Sequence, residues 1–322
     1  MNRTCGPTAI ASAPQRIKHT LHRPLCARLL AWGALCLVLL SACTAAYTPV
    51  RPVHKIGLIA PFEGLYREDG YALLAGVRQA ITECAPPGLD VVPLALDDSA
   101  DPAQAARALQ KLLLDPAVTA IVGPLALQAV SAVAPLMHER AWSTPHKPRQ
   151  ADGTLSLDAL LAAIHAHTDS ERVLVVSPPL PAVAAPTSDL PYLVLNNAGT
   201  AQELVRNKDA ILWLDDPAQG AAWFATLRAH SNAPFFLGTA YGAEIFARHA
   251  TRAPSAFWMH WQVVGYTPSS KQIAPDLPEF RQMSTEFAYH VSCAHIAYLA
   301  GTPIPELRAW RVDAVPFFAG TQ

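Results

Sequence analysis

The chain has 322 residues, with 24 Lys and Arg against 25 Asp and Glu and a hydrophobic fraction of 51%. Five of the basic residues (Arg3, Arg16, Lys18, Arg23 and Arg28) lie in the first 42, which leaves 19 against all 25 acids and a charge near −6 for residues 43–322. That balance argues against a nucleic-acid partner, which wants a basic patch, and the length allows one large or two medium domains.

Residues 1–42 read as an export signal. The five basic residues, with no acid among them, precede an apolar run from Leu29 to Leu40. A basic n-region followed by a short h-region is the pattern of such signals, and the run is shorter than the roughly 20 apolar residues of a membrane span. Leu40-Ser41-Ala42-Cys43 resembles the bacterial lipobox, which implies cleavage before Cys43, lipid on its thiol, and a membrane partner through that anchor. Stable anchoring takes more than one acyl chain. Residues 43–52 then read as a short polar tether with prolines.

From Lys55 the pattern becomes an alternation of strands and helices. Residues 55–60 (KIGLIA) predict a buried strand, and 70–84 carry an apolar helical stripe at 73, 74, 77, 80 and 81. A second strand is expected over 89–98. A helix follows over 101–115, with Asp101 as its cap and Pro102 in its first turn. A third strand (118–124), a helix (127–140) and a short strand (141–145) complete a first round. A second round follows: helix 154–167, strands 172–179 and 191–197, a helix at 201–207, strand 210–217, helix 218–230, and a strand and turn over 234–242. A long strand over 255–266, one or two helices over 276–301 and an extended tail close the chain. Such alternation implies parallel sheets flanked by helices, and two rounds imply two lobes with a ligand cleft at the carboxyl ends of the strands.

At these residues the chain resembles a known family. Gly57-x-x-x-Pro61, the helix with Gly76, Asp97-Asp98-x-x-Asp101-Pro102-x-x-Ala105 and the strand ending Val122-Gly123-Pro124 are similar to the first lobe of type I periplasmic binding proteins. The branched-chain amino-acid receptors of ABC importers are the members most alike. The match covers about residues 55–145, with a weaker one in the second half. The resemblance implies a two-lobed α/β fold whose second lobe is shortened, because 146–209 is brief for the family. It divides the chain into lobe I at 53–148 plus 266–303 and lobe II at 149–265 plus 304–322. It further implies capture of a small polar solute, an amino acid or a related compound, for an ABC permease partner. A sensor, adaptor or assembly factor of the same fold is the alternative.

The strand-end rule and the family pattern together place the candidate contacts. Glu63, Tyr66 and Arg67 offer a carboxylate, a phenol and a guanidinium on one loop, and an Arg fork suits a ligand carboxylate or phosphate; a solvated loop would explain them as well. Leu125, Ala126, Ser143 and Thr144 join from lobe I, with Asn196, Asp215, Thr239 and Tyr241 from lobe II. Leu125 and Ala126 stand where the family has hydroxyl side chains. Asp97-Asp98 and Asp215-Asp216 read as strand-end turns or cleft contacts, and the tryptophans at 213, 223, 258, 261 and 310 as core, one of them a possible cleft floor. No G-x-S-x-G, phosphate loop, G-x-G-x-x-G or H-E-x-x-H occurs, so no enzyme, cofactor or metal is expected. His165 and His167, two apart, do not share a helix face. Cys84 and Cys293 are 209 apart; export permits a bridge, and two buried thiols is the plainer expectation.

Overall fold

The structure, a computed structural model, describes residues 32, 51–137, 141–144, 157–177, 191–238, 241–249, 256–263, 277, 279–302 and 310–316. The signal and lipidation readings, Cys43 included, and Thr239 lie outside these residues.

Strand β1 (Val53–Ala60) is buried continuously from Ile56 to Ala60, as befits the inner strand of a parallel sheet covered on both faces. It pairs in parallel with β2 (Asp90–Asp97) on one side and β3 (Val118–Val122) on the other, and β3 pairs with β4 (Ala141–Ser143). The connecting helices are α1 (Arg67–Cys84) and α2 (Pro102–Leu114). Asp101 caps α2 as its sequence foretells: its carboxylate accepts from the Gln104 N–H at 2.7 Å. Helix α3 (Leu127–Val133) is shorter than expected. The chain tightens into a 3₁₀ turn at Ala134–Leu136, because Pro135 has no N–H to continue the helix.

The second sheet has the order β10-β9-β8-β7-β5-β6. Its strands are β5 (Arg172–Val176), β6 (Tyr192–Leu195), β7 (Asp209–Trp213), β8 (Phe235–Leu237), β9 (Ala256–Val263) and β10 (Trp310–Pro316). All neighbours are parallel except β9 and β10. Its helices are α4 (Leu157–His167), α5 (Ala198–Leu204), α6 (Pro217–Leu227) and α7 (Ala243–His249), and the long α8 (Glu279–Leu299) follows β9. The sheet carries six described strands against four in the first. Within 146–209, where the family comparison predicts shortening, 146–156 and 178–190 lie outside the described residues. Among the described residues no helix is long and apolar enough to cross a membrane.

Each sheet has its own core. Ile56, Leu58, Ile59, Leu73, Leu109 and Leu112 fill the first. Trp213, Phe224, Phe235 and Phe246 fill the second, where Trp213 stacks on Trp223 with ring centroids 5.6 Å apart. Trp213, Trp223 and Trp258 are therefore core residues, not a cleft floor. The side chains of Trp261 and Trp310 lie outside the described set.

Helix α8 returns to the first sheet and packs along α1. The approach is close enough that a Cβ on Gly76 would lie 2.2 Å from the Thr285 carbonyl oxygen. Thr285 Oγ1 donates to the Ala72 carbonyl at 3.1 Å. At the far end of this pair Cys84 and Cys293 form a disulfide, with Cα atoms 5.4 Å apart. The expectation of two free thiols is thus corrected. The α1–α8 packing brings together two positions that sequence separation alone cannot pair.

Candidate functional site: the groove between the sheets

The two sheets meet where their strands end. The first supplies Ala126, Leu127 and Gln128, just past β3. The second supplies Leu214, Asp215, Asp216 and Pro217, just past β7, and Tyr241, past β8; together they line a small groove. Carboxyl ends of parallel strands are the usual ligand position in open α/β sheets.

Tyr66 crosses from one sheet to the other beside this groove. Its hydroxyl donates to Asp216 Oδ2 at 2.5 Å and accepts from the Ala218 N–H at 3.2 Å. Its ring lies against Tyr241, centroids 4.8 Å apart. Burial, then the Asp216 carboxylate, push the Tyr66 phenol far above its ordinary pKa, so it stays a donor. Burial does the same to Tyr241, helped by Tyr66, Asp69, Asp98 and Asp216.

A second contact between the sheets lies one helical turn on. Asp69, in the first turn of α1, is fully buried and accepts from the Gly242 N–H at 3.3 Å. Burial raises its pKa to about 7, against the opposing pull of the Gly242 N–H and Arg281. Gly242 has φ +69, and a Cβ there would meet Pro217 Cγ at 2.5 Å and Tyr66 Cε1 at 3.0 Å, so both backbone and contact require glycine. Around this point Arg281 of α8 donates to Glu244 Oε2 (2.7 Å) and to Glu68 Oε2 (3.3 Å), and Arg248 pairs with Glu244. Burial would raise the Glu244 carboxyl, but the bonds from Arg281 and Arg248 outweigh it and hold its pKa below the ordinary range.

The strand-end aspartates use up nearby donors. Asp97 accepts from the N–H groups of Phe62 (2.6 Å), Glu63 (3.1 Å) and Ser99 (3.2 Å) and from Ser99 Oγ (2.5 Å). Burial opposes ionisation there, yet these bonds leave its pKa lowered. Asp98 is fully buried, and burial raises its pKa to about 6 although the Ala100 N–H reaches its Oδ1 at 2.9 Å. Asp216 Oδ1 caps α6 through the Gln219 N–H at 2.9 Å, and Asp215 Oδ1 accepts from the Asp216 N–H at 2.7 Å.

Of the residues expected from sequence, Ala126, Asp215 and Tyr241 line the groove and Tyr66 stands beside it. Of the others, none of the described ones is among its lining, and Thr239 lies outside the described residues. Leu125 is core at 0% exposure, and Ser143 and Thr144 are buried. Asn196 and Glu63 are exposed, and Arg67 is exposed and paired with Glu68. Asp216 is one of the strand-end aspartates evident in the sequence but not one of the expected contacts, though Asp216-Pro217 repeats the capping pattern of Asp101-Pro102. Asp69, Gln128, Gly242, Glu244 and Arg281 carry no sequence signal of their own. Among the described residues no group of three or more His, Cys, Asp or Glu is placed to hold a metal.

Residues 53–142 match the periplasmic binding protein family. This chain has the type I periplasmic-binding-protein fold. The periplasmic binding protein type 1 from Bordetella pertussis Tohama I superposes with a TM-score of 0.58 at 16% identity, over 79% of this chain and 86% of that one. A leucine binding protein from Thermotoga maritima gives 0.57 at 17% identity, over 77% and 84%. An ABC transporter solute binding protein from R. palustris, in complex with 4-hydroxybenzoate, gives 0.53 at 14% identity, over 79% and 83%. Among curated proteins none matches the chain in sequence. At such identities the superposition speaks for the fold, and the family match rests on the first sheet and its helices.

Proposed function

We propose that this protein is an extracytoplasmic solute-binding protein rather than an enzyme, taking a small polar solute between its lobes and delivering it to an ABC permease. Lobe I comprises 53–148 plus 266–303, and lobe II comprises 149–265 plus 304–322. After cleavage at residue 42, lipid on Cys43 tethers the protein to a membrane face. The observation that carries the reading is the groove at the carboxyl ends of β3 and β7, where polar side chains from both sheets meet. Similar folds are named for leucine or hold 4-hydroxybenzoate, so amino acids and small organic acids head the list of solutes to test.

A second reading, a sensor, adaptor or assembly factor, draws support from the Tyr66–Asp216 bond, which already joins the two sides, and from the described lobe I lining, Ala126, Leu127 and Gln128, which includes no Ser or Thr. A thermal-shift screen separates the two. A ligand specific for the folded state adds about 2.7 kcal/mol at 100 times its Kd, a clear rise in Tm. If a broad screen gives no shift and a membrane pull-down returns a partner other than a permease, solute capture is wrong.

A further inference from the structure

We propose that Asp69 is a proton-operated latch between helix α1 and the turn that opens α7, closed while its carboxyl is protonated and loosened when it ionises. The device belongs to the fold and stands apart from the solute-capture reading.

The geometry gives this carboxyl too little support for a buried charge. Asp69 is 6% exposed, and among the described residues its one hydrogen bond comes from the Gly242 N–H at 3.3 Å. A buried carboxylate needs several donors or a direct ion pair to stay charged. Asp97 shows the difference: it accepts from Phe62, Glu63 and Ser99, four bonds in all, and its pKa is lowered. The charged groups facing Asp69 pull in both directions. Glu68 of α1 and Glu244 of α7 repel its ionised form, and Arg281 of α8 attracts it. The hydrogen bonds of Arg281, however, go to Glu244 and Glu68. Arg67 and Arg248 pair with the same two glutamates, and their side chains are 63% and 65% exposed, so water screens them. Tyr66 and Tyr241, the remaining neighbours, are held as neutral phenols.

Parting the contact reverses the balance. Asp69 lies in the first turn of α1, where a helix N-terminus favours a negative charge, so a hydrated Asp69 ionises readily at neutral pH. While the contact holds, burial outweighs the Gly242 N–H and Arg281 and keeps the pKa near 7. The joined form therefore binds the proton more tightly than the parted form. By linkage, parting becomes easier by up to about tenfold per pH unit between the two pKa values. The latch is strongest in acid, weakens as pH rises toward 7, and stays constant above it.

Native-state amide exchange reads the Gly242 N–H itself, since its exchange requires the bond to Asp69 to break. Corrected for the intrinsic rate, its protection in wild type should fall at least tenfold from about pH 5 to 7 and level off above. In Asp69→Asn it should stay flat, the amide oxygen still accepting from Gly242. Global unfolding releases the same proton, so low urea separates the two events. Parting of the latch exposes little surface, and Gly242 exchange should be insensitive to urea. The Ile211 amide, bonded to the Pro234 carbonyl in the second sheet, should respond with the full m-value. The NMR signal of the Asp69 carboxyl carbon gives a readout that needs no variant, and it should titrate in step with the loss of Gly242 protection. Protection that ignores pH, that changes equally in Asp69→Asn, or that follows urea as Ile211 does overturns the latch. So does a carboxyl that titrates at the ordinary value of about 3.9.

Discussion

The Tyr66 phenol, from the loop before α1, donates to Asp216 Oδ2 at 2.5 Å across 150 residues of sequence. Together with Asp69–Gly242 and Arg281–Glu244 it ties the elements of the first sheet to those of the second. Tyr66→Phe removes the hydroxyl and keeps the ring on Tyr241. A hydrogen bond to a charged group contributes about 1.5–3 kcal/mol, and the half-buried position of Asp216 lets water recover part of it, so the lower end is expected. Urea unfolding should show a lower midpoint with an unchanged m-value. An unchanged midpoint would mean that the bond contributes nothing.

Cys84–Cys293 closes a loop of 209 residues. Chain-entropy arguments give a ceiling near 5 kcal/mol for so long a loop, and native bridges typically contribute about 2–4. Replacing both cysteines by serine should lower the Tm by several degrees and abolish the effect of a reductant on it. Non-reducing peptide mapping should recover the 84–293 pair from wild type; two free thiols in protein purified without reductant would refute the bridge.

Gly76 faces the Thr285 carbonyl of α8 with no room for a side chain. Gly76→Ala would help an isolated helix, since alanine is the better helix former. Here it must push backbone away, and overpacking of this kind costs about 1–3 kcal/mol. Loss of stability is therefore expected where propensity alone foretells a gain, and chemical denaturation reads the sign directly.

Much of the first sheet is legible because its signals are local. Asp101-Pro102 announces α2, and the unbroken apolar run Ile56–Ala60 announces a covered parallel strand. Helix α7 is not legible: Ala243–His249 spans under two turns, too short to display a period. The end of α3 is misplaced because Pro135 stops a helix whose apolar pattern runs on. The site is legible only in part for a different reason. The strand-end rule selects loops, and so it finds Tyr66, Ala126, Asp215 and Tyr241. It also selects Glu63, Arg67 and Asn196, because it cannot say which way a loop turns. Asp69 and Arg281 depend on helices α1 and α8 meeting α7, a tertiary arrangement that no local pattern records.

The proposed lipid anchor on Cys43 makes a prediction about where the protein resides. If lipid on its thiol is the anchor, Cys43→Ala should move the protein from the membrane fraction to the soluble one, and mass spectrometry of wild type should find a lipidated N-terminal cysteine. Equal membrane association of the two forms would remove the lipid anchor from the proposal and leave solute capture untouched.

Asp69 should make stability depend on pH near neutrality. Its carboxyl titrates near 7 in the folded protein and near 3.9 in an unfolded chain. Between those values the folded state holds a proton that the unfolded state releases, so this contribution is full below about pH 4 and is lost as pH rises through 7. The distance between the two values sets a ceiling of about 4 kcal/mol. Asp98, raised to about 6 by burial, acts with the same sign below pH 6. His290, lowered to about 4 by burial, acts against both, since its contribution is present above about 6.5 and declines as pH falls toward 4. The comparison that isolates Asp69 is therefore wild type against Asp69→Asn, which is neutral at every pH. Urea unfolding between pH 5 and 8 should show wild type losing stability relative to the variant as pH rises, with the difference levelling off above pH 7. Parallel curves for the two proteins would show that Asp69 ionises freely and that burial does not hold its proton.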